Sequence, residues 1–234
     1  KSNIIVANQS TKETMDCIKK TIHQNPSNKV FFNDDFNYSV SENGFFYYED
    51  MLGGLKLPMP NILGQFQLEN ISTAIATLRT LDLGIKDKYI QNGIKKISSL
   101  ARLQEIKSGK LKELVKNNKL IVDGSHNEDG ARVLNDYLQI LDCNKHVIIS
   151  MMANKEHEKY ISYFKDISSI TTIDLKNQPN SISGKDLKEK FKNMPNVQYQ
   201  PNIEQAIKSI EMKKGDLLLI TGSLYLAGEV LNLN

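Results

Sequence analysis

The sequence predicts an α/β protein whose C-terminal part is an open, mostly parallel sheet with helices on both faces. From about residue 98 onward, short apolar runs alternate with helical patterns, and this rhythm is typical of βαβ units. Glycines and polar residues directly follow several of the apolar runs, as expected where strands end. The first 97 residues lack this rhythm. We therefore predict two domains, 1–97 and 98–234.

The N-terminal part begins with a predicted strand and a predicted helix. The β-branched run Ile4–Ala7 favours a strand, and Ser10-Thr11 would cap a helix over residues 12–23. Aromatic-rich segments between residues 29 and 56, broken by a Ser-Glu-Asn-Gly turn, favour antiparallel strands. The segment 53–64 contains two prolines and is predicted to be an extended connector.

Two helices follow, over residues 70–83 and 87–97, because apolar residues recur there at intervals of three and four. Asn70 would then be the N-cap of the first helix. Residues 103–106 favour a strand, and Ser108-Gly109-Lys110 is predicted to be a hairpin turn. This tripeptide lacks the upstream glycine of a phosphate-binding loop, and we expect no helix to follow it.

The C-terminal part continues with alternating strands and helices. The strands are predicted over residues 120–123, 146–151, 170–175, 197–199 and 217–221. The helices are predicted over residues 129–141, 157–164, 183–191 and 203–212, with a last one from residue 224.

Composition excludes several classes of protein. Lys and Arg number 30 against 27 for Asp and Glu, a net charge of +3 that is too weak to indicate binding to nucleic acid or to an anionic membrane. No apolar run approaches the roughly 20 residues of a membrane-spanning helix. Cys17 and Cys143 have no metal-like spacing and form no disulfide framework, so we expect a cytoplasmic protein. The chain opens at Lys1 almost directly with a strand, so we expect it to be the remainder of something longer.

The strongest candidate site is Asp123-Gly124-Ser125-His126-Asn127, which ends a strand and precedes a helix. A carboxylate at the end of a strand can accept hydrogen bonds from the hydroxyls of a ribose. The free amides of the next helix favour an anion. The alternative is that Asp123 and Asn127 only cap that helix.

Two weaker signals follow neighbouring strands. Ser223, in Thr221-Gly222-Ser223-Leu224, would cap the last helix or offer its hydroxyl to a ligand. Lys155 lies on a loop after another strand and is either solvated or directed to the same edge of the sheet. Because these loops share one predicted edge, we expect a binding site there. No second metal ligand accompanies His126 at a suitable spacing, so we predict no metal site on this chain. We also predict that no catalytic side chain lies on it.

Four segments together resemble one enzyme family in order and spacing. They are Leu-Gly-Gln-Phe-Gln-Leu-Glu-Asn at 63–70, Ala-Arg-Leu-Gln at 101–104, Asp-Gly-Ser-His-Asn at 123–127 and Gly-Ser-Leu-Tyr-Leu-Ala-Gly-Glu-Val at 222–230. The chain resembles folylpolyglutamate synthases and bifunctional dihydrofolate and folylpolyglutamate synthases of the Mur ligase superfamily. It departs from the family at three places. Phe66-Gln67 replaces His-Gln, Ala101-Arg102 replaces Gly-Arg, and Lys155-Glu156 replaces Lys-Asp.

The resemblance implies a domain organisation. Residues 1–97 would be the last portion of a P-loop-type central ATPase domain, and residues 98–234 a Rossmann-like C-terminal domain. The P-loop, the magnesium ligands and a carbamylated lysine would lie upstream of Lys1. Catalysis would need both halves, so we expect this chain alone to be inactive and a separately made P-loop half to be its possible partner.

The resemblance also implies a reaction. An ATP-dependent ligase would add L-glutamate to dihydropteroate or to a folate through an acyl phosphate, in folate biosynthesis and one-carbon metabolism, with Mg²⁺ as cofactor. Asn70, Arg102 and Asp123 would hold ATP. His126, Lys155 and Ser223 would place the incoming glutamate. Family members are usually monomeric, so we expect a monomer.

Two alternatives remain open from the sequence. The chain could be an inactive remnant of such a ligase or a non-catalytic nucleotide-binding module, since the P-loop is missing and three motifs depart from the family. It could also be an α/β domain that binds an unrelated small ligand.

Overall fold

The chain forms two compact units, one ending at Ser98 and the other running from Ser99 to Asn234. A computed structural model describes residues 2–234. No helix within this range is both apolar enough and long enough to cross a membrane.

The first unit contains two sheets and three helices within the described residues. The parallel pair β1–β2 is linked by α1, and β3, β4 and β5 form an antiparallel sheet. The apolar sides of β3–β5, α2 and α3 share one core, which includes Phe46, Leu57 and Ile75. The elements are β1 (Asn3–Val6), α1 (Lys12–Ile22), β2 (Asn28–Phe31), β3 (Phe36–Val40), β4 (Phe45–Asp50), β5 (Gly53–Pro58), α2 (Phe66–Thr80) and α3 (Asp87–Lys95).

Three predictions for this unit were wrong in detail. The first aromatic segment, β2, pairs in parallel with β1 rather than antiparallel with its neighbours, because α1 provides the crossover between them. The start of the predicted connector is the edge strand β5, where Leu55 and Leu57 are buried in alternation and the proline stands at the strand end. Helix α2 begins at Phe66, so Asn70 lies inside the helix and is not its N-cap.

The second unit is built around a six-stranded sheet of order β10-β9-β8-β11-β7-β6. All neighbours are parallel except β6, which pairs antiparallel with β7. The elements are β6 (Gln104–Glu105), α4 (Lys110–Val115), β7 (Lys119–Val122), α5 (Glu128–Gln139), β8 (Lys145–Ile149), α6 (His157–Ser162), β9 (Ser169–Ile173), α7 (Gly184–Lys190), β10 (Val197–Gln200), α8 (Ile203–Ser209), β11 (Leu217–Thr221) and α9 (Leu224–Leu233).

Helices cover both faces of this sheet. Alternate strand residues such as Leu120 and Leu218 share a core with apolar residues of α4, α8 and α9. Their neighbours Ile121 and Leu219 are fully buried too, and successive strand residues point to opposite faces. The predicted open, mostly parallel sheet with helices on both faces is therefore confirmed.

One turn in this unit was predicted wrongly. Ser108-Gly109-Lys110 leads into α4 and is not a hairpin turn. The side-chain oxygen of Asn234 accepts hydrogen bonds from the amides of Leu111 (3.2 Å) and Lys112 (3.3 Å). The cap of α4 therefore comes from more than a hundred residues away, and a local sequence pattern cannot reveal it.

Candidate functional site

The candidate site lies at the carboxyl edge of the sheet, where β7, β8 and β11 end. Strand β11 lies between β7 and β8, and all three strands are parallel, so the loops that follow them share one edge. The loop after β7 is joined to the loop after β11 by the Gly222 amide, which donates to the Ser125 carbonyl at 3.1 Å. This edge is where ligands bind in open α/β sheets.

A buried ring of three hydroxyl groups holds these loops together. The Tyr160 hydroxyl lies 2.9 Å from the Ser125 hydroxyl and 2.9 Å from the Thr221 hydroxyl, and the last two are 3.3 Å apart. Burial is the main cause that raises the pKa of the Tyr160 hydroxyl well above its usual value. The ring therefore stays neutral at physiological pH and fixes the loops after β7 and β11 against α6.

Asp123 follows β7 directly and is only 4% exposed. One carboxylate oxygen accepts from the Leu103 amide and the other from the Ser125 amide, both at 2.8 Å. The predicted alternative that Asp123 caps α5 is wrong, because the N-cap is Asn127, whose side chain accepts from the Gly130 amide. A carboxylate can accept about four hydrogen bonds, so ribose hydroxyls would have to use the remaining lone pairs.

Arg102 lies beside Asp123 in the fold because the amide of the next residue, Leu103, is bound to that carboxylate. The Arg102 side chain is exposed and forms no hydrogen bond or ion pair within residues 2–234. The chain has two other arginines, and both are paired: Arg79 with Asp50 and Arg132 with two acids of its own helix. Arg102 is thus an available cation at the candidate site.

A cavity of about 400 Å³ brings two of the predicted residues together. His126 and Lys155 both line it, and Lys155 lies on the loop after β8. The Nδ1 atom of His126 donates to the Gly124 carbonyl at 3.0 Å, which leaves Nε2 as the acceptor in the neutral ring. Helix α5 begins at the same cavity, so its N-terminal amides contribute a partial positive charge there.

The cavity also carries negative charge that the sequence analysis did not single out. Lys159 bridges Glu128 (3.1 Å) and Glu156 (3.0 Å), and the Tyr163 hydroxyl donates to Glu128 at 3.3 Å. The hydrogen bond with Lys159 is the main cause that lowers the pKa of Glu128, and bonds with both acids raise the pKa of Lys159. Both shifts favour the charged forms of Glu128 and Lys159. A cavity with fixed charges of both signs suits a zwitterionic ligand.

Ser223 and Asn70 are not among the residues that line this cavity. Ser223 is 2% exposed, and its hydroxyl caps α9 by accepting from the Tyr225 amide at 3.1 Å. Asn70 belongs to the first unit, where it is exposed and donates to the Gln67 side chain at 3.3 Å. Residues 2–234 contain no group of three His, Cys, Asp or Glu side chains that could hold a metal ion.

The family match covers the strands that carry this site. Residues 110–224 match the family described as Mur ligase, glutamate ligase domain. Residues 110–224 are thus similar to that Mur ligase family. They contain β7, β8 and β11 and the loops with His126 and Lys155, so the candidate site is built largely from the Mur ligase segment.

Curated and solved relatives agree with the Mur ligase match. The dihydrofolate synthase/folylpolyglutamate synthase of Bacillus subtilis is 26% identical over 179 residues, which cover 73% of this chain and 39% of that protein. The resemblance to folylpolyglutamate synthases is thereby confirmed.

The fold is shared with solved enzymes of this group. FolC from E. coli in complex with DHPP and ADP has a TM-score of 0.81 at 21% identity, over 99% of this chain and 53% of that one. Folylpolyglutamate synthase from Mycobacterium tuberculosis, complexed with ADP and AMPPCP, has a TM-score of 0.81 at 16% identity, over 99% of this chain and 55% of that one. The chain thus spans about half the length of the solved relatives that it matches.

Proposed function

We propose that this chain is the C-terminal part of an ATP-dependent ligase that adds L-glutamate to dihydropteroate or to a folate. The observation that carries the proposal is the Mur ligase glutamate ligase segment, whose strands end at the cavity with His126 and Lys155. Solved relatives with the same fold are complexes with ADP, with DHPP, and with AMPPNP, Mn and L-glutamate. On this proposal the first unit is the last portion of the ATPase domain.

Three residues are proposed to hold the nucleotide. Arg102 is the best supported, because a guanidinium without a protein partner can bind phosphate oxygens through two hydrogen bonds. Asp123 would accept from the ribose through its free lone pairs. Asn70 is exposed on α2 and offers an amide that both donates and accepts.

The cavity is proposed to hold the incoming glutamate. Lys155 and the N-terminus of α5 would bind carboxylates, and Glu128 with Glu156 would attract the ammonium group. His126 offers Nε2 to the amino group as an acceptor. Ser223 supports the site indirectly, because its hydroxyl caps α9 directly after β11.

The reaction proposed for the whole enzyme has two steps. A carboxylate of the acceptor attacks the γ-phosphorus of ATP, which gives an acyl phosphate and ADP. The glutamate nitrogen then attacks the acyl carbon, phosphate leaves, and the nitrogen loses its extra proton. This chain's share is to position the nucleotide and the amino acid. Mg²⁺ would neutralise phosphate charge in the whole enzyme.

Nucleotide binding tests the first part of the proposal. ADP would be titrated into the full chain by isothermal titration calorimetry, with Arg102→Ala as the variant and Arg132→Ala as the matched control. Loss of a charge-assisted pair should weaken ADP binding about tenfold or more in the first variant. Equal affinities in the two variants would contradict the assignment of Arg102.

Glutamate-dependent ATP hydrolysis tests the second part. The assay would contain dihydropteroate or tetrahydrofolate, with this chain alone and with a separately produced P-loop half. Activity is expected only in the mixture and should fall on replacing Lys155 by Ala. If the mixture stays inactive while the P-loop half is folded and binds ATP, the alternatives of an inactive remnant or a nucleotide-binding module are favoured.

In cells we expect a cytoplasmic monomer.

A further inference from the structure

Arg102 lies between two residues with left-handed backbone conformations. Ala101 has φ of 55° and Leu103 has φ of 46°, and neither is a glycine or an asparagine. Such residues are uncommon in this region because the Cβ atom clashes with the backbone. A strained loop of this kind persists only when its surroundings hold it, and such strain is concentrated at functional sites.

Three hydrogen bonds hold this loop. The Ala101 amide donates to the side-chain oxygen of Gln104 at 2.9 Å, and the Leu103 amide donates to Asp123 at 2.8 Å. The Ala101 carbonyl accepts from the Gly124 amide at 2.8 Å. The backbone groups on both sides of Arg102 are therefore tied, while its own side chain forms no hydrogen bond or ion pair with residues 2–234.

Burial strengthens the same restraint. Ala101 is 5% exposed and Leu103 is 2% exposed, so both neighbours of Arg102 are packed inside the unit. Gln104 belongs to the edge strand β6 and pairs with Val122 of β7, which gives its side chain a rigid base. The exposed Arg102 side chain therefore lies between two buried residues, Ala101 and Leu103.

We propose that Gln104 is a positioning residue that fixes the Arg102 loop from β6, while Asp123 fixes it from the end of β7. Gln104 acts through the Ala101 amide. The inference rests on the proposed function in one respect, because it takes the anion that Arg102 meets to be the phosphates of a nucleotide. A side chain that is ordered before binding loses less conformational entropy when the ligand arrives. Removing the Gln104 amide should therefore weaken anion binding without removing a ligand contact.

A double-mutant cycle separates positioning from general stability. ADP affinity would be measured by calorimetry on the full chain for Gln104→Met, for Arg102→Ala and for the combination. Gln104→Met should weaken binding about fivefold in the wild-type background, the effect of one hydrogen bond. It should have no further effect in the Arg102→Ala background, because the loop then has no cation to position.

Gln198→Met is the matched control. The Gln198 amide bonds to the Thr171 and Ser209 hydroxyls elsewhere in the same unit, so this variant also removes a half-buried glutamine amide. It should leave ADP affinity unchanged.

The outcomes distinguish this inference from the proposed function. If Gln104→Met binds ADP like the wild type while Arg102→Ala binds more weakly, positioning is wrong and the nucleotide role of Arg102 stands. An equal loss from Gln104→Met in both backgrounds also overturns positioning.

If the wild-type chain does not bind ADP, the nucleotide proposal fails, and positioning is judged from the NMR order parameter of the Arg102 Nε–H group. That order parameter should fall in Gln104→Met and not in Gln198→Met. An unchanged value in Gln104→Met would overturn the inference.

Discussion

Replacing Tyr160 by Phe removes one oxygen from the buried ring of three hydroxyl groups at the candidate site. Tyr160 is 1% exposed, so water cannot take the place of the lost group without rearrangement. The two bonds of 2.9 Å disappear, and only the weaker contact of 3.3 Å between Ser125 and Thr221 remains. One hydroxyl hydrogen is then left without an acceptor.

The magnitude follows from the number of bonds lost. Each neutral hydrogen bond contributes about 0.5–1.5 kcal/mol net, so two bonds contribute about 1–3 kcal/mol. Phenylalanine has no hydroxyl group that must be desolvated and hydrogen-bonded when buried, and this offsets part of the lost stability. We expect Tyr160→Phe to lower the free energy of unfolding by about 1–2 kcal/mol.

Tyr163→Phe provides a matched control close to the same helix. Its hydroxyl makes one bond of 3.3 Å to an exposed carboxylate, and its loss should have no measurable effect. Urea unfolding would be followed by far-UV circular dichroism, and hydrogen exchange would assign the transition to the second unit. If Tyr160→Phe lowers the free energy of unfolding no more than Tyr163→Phe does, the ring of hydroxyl groups does not stabilise the second unit.

Two further predictions concern charge and backbone. For Asp216, burial acts to raise the pKa, but hydrogen bonds from the Lys213 amide, Asn144 and His146 outweigh it, so the pKa lies below its usual value. Because the pKa of Asp216 is lower in the folded state, its carboxylate stabilises the folded state above about pH 4. This stabilisation is lost as the pH falls through the pKa of the folded state. The midpoint of urea unfolding should therefore fall as the pH is lowered, and it should fall less in Asp216→Asn. If the midpoint depends on pH in the same way in both proteins, this reasoning is wrong. Gly222→Ala should cost about 3 kcal/mol of unfolding free energy, since φ is 104° and a Cβ would lie 2.7 Å from the Ser150 carbonyl oxygen. Gly228→Ala has open space inside α9 and should raise stability by about 0.5–1 kcal/mol, and similar thermal midpoints for the two glycine variants would refute the argument.

The central strands of the second unit could be predicted because they are buried on both faces. Leu217–Thr221 contains one polar residue, Thr221, at its end, and a turn signal and helix α9 follow it. The shared edge of β7, β8 and β11 followed from the parallel arrangement alone.

Other features depend on contacts that a local pattern does not contain. Helix α4 depends on a cap from Asn234, and α2 begins at Phe66 without any side-chain cap, so its start gives no local signal. The restraint on Arg102 depends on the left-handed backbone of Ala101 and Leu103. The sequence analysis noted Ala101 as a departure from glycine, and a positive φ is the conformation in which that difference matters most.

The position of β11 in the sheet affects how the second unit is made. It is the last strand to be synthesised, yet it lies between β7 and β8. Until Thr221 has left the ribosome, the nascent chain can form only two incomplete groups of strands, β6–β7 and β8–β9–β10, each with an open edge. Folding of this unit must therefore follow synthesis of nearly all of it, and the unpaired strand edges of the emerging chain stay open to non-native pairing until then.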